Sequence, residues 1–154
     1  MLTNSEIMAT AKKTKVHFFS NDIPTSLKNT ANLKHFIEFI FKTEMQSLDS
    51  INYIFCSDRA ILEINKKYLN HNFYTDVITF DLSLDNKAIS AEVYISMERI
   101  RDNAKQLDLT IKSELHRVLF HAALHLCGYN DKKKKDKEIM RKRENELLTK
   151  YFSR

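Results

Sequence analysis

Residues 121–131 read HAALHLCGYND, and Gly128, the only glycine in the 154-residue chain, sits inside this stretch. An amphipathic run leads into it. Over residues 111–127, Leu115, Val118, Leu119, Ala122 and Leu126 recur at helical spacing, which predicts a helix with one buried stripe. Glycine most readily takes the left-handed conformation that ends a helix and folds the chain back. The chain also has a single proline, so its other turns must rely on Asn, Asp and Ser.

His121 and His125 lie one turn apart on this helix, because a four-residue step rotates the side chain by about 400°. Two imidazoles on one face can hold one metal ion. The same spacing also suits two half-buried histidines bonded to backbone carbonyls. A reversal at Gly128 can carry Asp131 back towards both rings. That would supply two nitrogens and one oxygen, with a fourth position open to water as in catalytic zinc sites. Zinc peptidases carry a glutamate directly after the first histidine as general base; here that residue is Ala122. Cys127 points elsewhere on the helix and reads as a core thiol.

The rest of the chain alternates between strand and helix patterns. VHFF (16–19), INYIFC (51–56), TDVITFDL (75–82) and ISAEVYIS (89–96) read as strands. The short connection between the last two predicts an antiparallel pair. Helices are expected at about 27–41, after a cap at Ser57 or Asp58, at 97–107, at 111–127 and at 133–152. No repeat or linker divides this pattern, so one α+β domain over 15–154 is expected, behind a flexible leader at 1–14.

Composition excludes several classes. A content of 43% hydrophobic and 29% charged residues belongs to a globular chain and not a disordered one. No apolar run approaches the roughly 18–20 residues needed to span a bilayer, and the N-terminus lacks the apolar middle of a secretory signal. Two cysteines make no disulfide framework, which suggests reduced thiols in a cytoplasmic protein. The net charge of +5 is concentrated in KKKKDKEIMRKREN (132–145), which is either a solvated helix face or a phosphate-contacting patch.

HAALHLCGYND resembles the signature of the YbeY family of rRNA maturation factors, His-Gly-x-Leu-His-Leu-x-Gly-Tyr-Asp-His. INKKYLNHNFYTDVITF (64–80) resembles the family's Leu-Asn-x-x-Tyr-Arg … Thr-Asp-Val-Leu-Ser-Phe segment. ISAEVYIS resembles its Gly-Asp-Ile strand, and ELHRVLF (114–120) leads into the histidines as in the family. The resemblance covers about residues 50–145. It implies a zinc-dependent, single-strand-specific endoribonuclease of ribosome maturation, acting at the 3′ end of small-subunit rRNA. It also implies a small mixed four-stranded sheet packed by about five helices. One zinc ion would be held by His121, His125 and the residue at position 131, and the partners would be single-stranded rRNA and ribosomal components, with no membrane.

The sequence departs from the family pattern at several positions. Asp131 replaces the third histidine; a carboxylate is an acceptable zinc ligand, but it makes the ligand set more negative and lowers the acidity of water held there. The family arginine expected to face RNA phosphate is Leu69. Lys66, Lys67, His71 and Arg117 are candidate substitutes, with Lys132 a further RNA contact and Arg117 the single candidate for a direct catalytic part. Ala91 and Glu92 stand for Gly-Asp, and Ala122 for a glycine. Tyr129 or Tyr68 could stack on a base, though packing is the commoner use of such tyrosines. Asp76 is expected to brace a turn and Glu114 to lie at the surface or support the site; no general base is assigned. Two other readings stand beside the nuclease: a metal-containing RNA- or ribosome-binding factor, and a metallopeptidase.

Overall fold

A computed structural model describes residues 14–24, 27–72 and 74–153. The predicted leader, apart from Thr14, lies outside the described residues. Four strands form one sheet: β1 (Val16–Ser20), β2 (Leu48–Cys56), β3 (Val77–Asp81) and β4 (Ile89–Ser96). Among the described residues five helices surround it: α1 (Thr30–Thr43), α2 (Asp58–Leu69), α3 (Met97–Gln106), α4 (Ile111–Leu126) and α5 (Lys134–Phe152). The sheet order is β1-β2-β4-β3. β1 and β4 both run parallel to β2, while β3 runs antiparallel to β4, as their short connection predicts.

Alternation along the strands creates two unlike faces. Ile51, Tyr53 and Phe55 of β2 and Ala91, Val93 and Ile95 of β4 are buried against the larger core, with Leu33, Phe36, Ile37 and Ile40 of α1. The opposite face carries Cys56 and Ile78, which pack with Ile61 of α2 in a smaller cluster. Both cysteines are unpaired, as expected.

α4 runs through the middle of the helical layer, contacting α1, α3, α5 and β3. Val118, Leu119, Ala122 and Leu124 are essentially inaccessible. The Tyr53 hydroxyl of β2 donates to the Leu119 carbonyl at 3.0 Å, tying sheet to helix inside the core; such a bond contributes about 1 kcal/mol net. Most boundaries fall within one or two residues of the pattern-based expectation, and two starts lie further off. α1 begins at Thr30 and not Leu27, because Asn29 takes the left-handed conformation at φ 56° and holds back the first turn. β2 starts at Leu48, earlier than the apolar run suggests, because pairing with β4 continues past a register shift between Leu48 and Ser50. No helix among the described residues is long and apolar enough to cross a membrane.

Candidate metal centre

Thr110 starts α4 by accepting a hydrogen bond from the Ser113 amide at 3.0 Å. The other end closes with paired bonds, from the Gly128 amide to the His125 carbonyl and from the Tyr129 amide to the Leu124 carbonyl, both 3.0 Å. This is the Schellman arrangement, with Gly128 in the left-handed position at φ 103°. A Cβ there would meet nothing within 4 Å, so backbone conformation and not space calls for glycine.

The reversal brings the Tyr129 carbonyl onto Nδ1 of His125, 2.8 Å away. It also places Oδ2 of Asp131 3.1 Å from Nε2 of His125 and 3.4 Å from Nε2 of His121. One potential ligand atom from each of the three residues lies within 4.8 Å of the others. From α5, Oε2 of Glu144 sits 2.6 Å from Nδ1 of His121. A carbonyl and a carboxylate only accept, so each Nδ1 carries the hydrogen and each Nε2 of a neutral ring presents a lone pair. With both rings neutral, two lone pairs converge on a carboxylate oxygen, and a cation between them satisfies all three; a protonated ring would instead donate to Asp131. Metal-bound histidines are characteristically oriented through the other ring nitrogen in this way. The donor set therefore fits a metal ion, with oxygen and nitrogen ligands of the kind zinc accepts.

Behind the ligands lies a buried ionic chain. Glu144 is 2% exposed and Glu114 is fully buried. Arg117 binds Glu114 through Nε at 3.0 Å and again through Nη2, and reaches Glu144 through Nη1 at 3.2 Å. Burial pushes the Glu144 carboxyl up. The hydrogen bond from His121 and the charges of His121, Arg117 and Arg141 outweigh that and hold it below the usual glutamate range. Glu114, expected at the surface or in support of the site, is a core residue because its charge is neutralised by Arg117. Arg117 is only 13% exposed at its side chain and both its partners are carboxylates. Asp76 accepts from the Asn103 amide at 3.3 Å. Burial raises its carboxyl pKa, against the pull of Arg117 and His121.

The centre opens into a cleft of about 700 Å³ lined by Leu69, His71, Asp76, β3 and Lys132. Leu69 faces it where the family pattern has arginine. Lys66 and Lys67 occupy the last turn of α2, outside the cleft lining, and Lys67 stands 5.2 Å from the exposed Tyr68 ring. Tyr129 is a packing residue whose hydroxyl donates to Glu44. Glu144 is the site residue that sequence reading missed, hidden in a basic run. Its spacing from Met140 and Leu147, both buried, was the available signal.

Fold and site together define an α+β domain built around an open histidine–histidine–carboxylate centre. The family model described as Endoribonuclease YbeY matches residues 12–152, and the chain belongs to that family. The chain is 43% identical to Endoribonuclease YbeY of Cytophaga hutchinsonii, over 90% of its length and 96% of the relative's. It is 42% identical to that of Flavobacterium psychrophilum, over 84% and 92% respectively. The solution structure of TM1509 from Thermotoga maritima is similar, with a TM-score of 0.62 and 25% identity, covering 90% of this chain and 89% of that one.

Proposed function

We propose that the protein is a metal-dependent endoribonuclease that cuts single-stranded RNA during rRNA processing, acting at the 3′ end of small-subunit rRNA in association with ribosomal components in the cytoplasm. The observation that carries this reading is the convergence of both Nε2 atoms and Asp131, with each Nδ1 already committed to an acceptor. His121, His125 and Asp131 would hold one zinc ion. When bound, zinc supplies Lewis acidity towards a phosphoryl oxygen and a site for the hydrolytic water.

The chain's own residues supply the rest. Glu144 and the Tyr129 carbonyl fix the two rings. Lys132 borders the cleft, and Lys133, Lys134 and Lys135 follow at the start of α5, with no ion-pair partner for any of the four among the described residues. These cations attract the phosphodiester backbone. Arg117 supports the centre through Glu144, while Lys66 and Lys67 provide cations for RNA beyond the cleft.

Leu69 favours a second reading, a metal-containing RNA-binding factor with little catalysis, since an apolar side chain replaces a phosphate-facing cation. The deciding assay is cleavage of a single-stranded rRNA fragment, with chelator, zinc add-back and His121→Ala in parallel. Cleavage lost with chelator, restored by zinc and absent in the variant is expected. RNA binding by zinc-loaded protein without cleavage would select the second reading.

A further inference from the structure

β3 is the last strand of the sheet, and its outer edge borders the cleft. Its ladder with β4 fixes which backbone groups point outward. The Asp76 carbonyl accepts from the Ser96 amide at 2.9 Å, and the Leu82 amide donates to the Ser90 carbonyl at 2.7 Å. Antiparallel pairing alternates by residue. Ile78 and Phe80 therefore spend their backbone groups on β4, and those of Val77, Thr79 and Asp81 face away from the sheet. The same three residues line the cleft with His121 and His125.

Among the described residues, the amides of Val77, Thr79 and Asp81 and the carbonyls of Thr79 and Asp81 have no hydrogen-bond partner. The Val77 carbonyl accepts only a long bond of 3.4 Å from the Thr75 hydroxyl. Exposed edges are usually blunted by proline, lysine or a bulge, and VITFD contains neither residue and pairs in unbroken register.

We propose that the open edge of β3 binds the Watson–Crick edges of an unpaired RNA strand laid along the cleft, and that this selects single strands over duplexes. The proposal rests on the RNA reading above. Outward backbone groups repeat every two residues, about 6.8 Å, a spacing that a stretched, unstacked nucleotide chain can follow. Bases in a duplex have already spent these donors and acceptors on each other.

Charge favours RNA over an extended peptide, which could also add to a strand edge. Lys132 lines the same cleft, and the lysines that follow it suit a phosphodiester, whereas a peptide main chain is neutral. Asp76, Asp81 and Asp131 share the lining with Lys132, so the positive charge that draws a phosphodiester comes from the lysines leading into α5 and from the metal ion of the proposed centre.

The test follows backbone amides of the zinc-loaded protein by NMR hydrogen exchange, with a single-stranded oligouridine, its duplex with oligoadenine, and an extended neutral peptide. The single strand should shift and protect the amides of 77, 79 and 81, leaving those of 78 and 80 unchanged; the duplex should not. Thr79→Pro removes one outward N–H and no ladder bond. It should weaken single-strand binding about tenfold, or about 1.4 kcal/mol, with zinc affinity and duplex binding retained. Single-strand binding without protection of these amides overturns the proposal and leaves the RNA reading intact. Absence of all RNA binding overturns both, and protection by the peptide alone reassigns the edge.

Discussion

Glu144 sits among arginines and lysines and yet is 2% exposed, because His121 and Arg117 meet it in the core. Its carboxylate decides which nitrogen of His121 keeps the hydrogen, and so which one faces the cleft. Glu144→Gln keeps the shape and removes the charge. Zinc affinity should fall about 10- to 100-fold, measured by competition with a chromophoric chelator, and the 15N spectrum of His121 should show loss of the single tautomer. The pH dependence has a definite sign. The folded-state pKa lies below the ordinary value, so the stabilisation is present above the usual glutamate range and lost as pH falls through the folded value. Acid unfolding should therefore be steeper in the wild type than in the Gln variant. His121, His125 and Asp131 were legible in the sequence because they are joined by one helical turn and one glycine-led reversal, both local geometries. Glu144 was not, because its contact with His121 crosses 23 residues and depends on how α5 packs on α4.

α4 has two termini with different duties, and substitutions at them should separate stability from metal binding. Thr110 caps the start of the helix, about three turns from His121 and four from His125, so Thr110→Ala should cost about 1 kcal/mol in urea unfolding with zinc affinity intact. Gly128 holds φ 103° in the reversal that delivers both the Tyr129 carbonyl and Asp131. Gly128→Ala should cost about 1 kcal/mol or more through backbone strain and weaken zinc binding as well. Equal zinc affinities in the two variants would detach the reversal from the site. At this scale the sequence was informative where the signal is local: the β3–β4 pair follows from its short connection, and α4 from its periodicity. The parallel placement of β1 beside β2 depends on a crossover through α1, and that of β2 beside β4 on one through α2 and β3, neither of which alternation within a strand encodes.

For the molecule as a whole, the sheet order leaves β3 at an edge, and α4 crosses beside that edge and carries the ligands. The cleft between them is thus a product of topology, and a cation bound there joins the end of α4 to the segment after its reversal. The α+β class and the single domain were readable from the succession of patterns; the cleft was not, because it exists only once β3 is known to be outermost. A metal ion binding only the folded chain stabilises it by about 2.7 kcal/mol at a free concentration 100 times its Kd. Zinc should therefore raise the melting temperature of chelator-treated protein, measured by calorimetry at fixed protein concentration. His125→Ala should abolish the rise, since it removes one of the three converging donors. Lys132→Ala should leave the rise intact and weaken RNA binding with a shallower salt dependence, since its charge serves the phosphate backbone. A zinc-induced rise that survives His125→Ala would place the stabilising ion elsewhere on the chain, and the Lys132 result would then report on RNA binding alone.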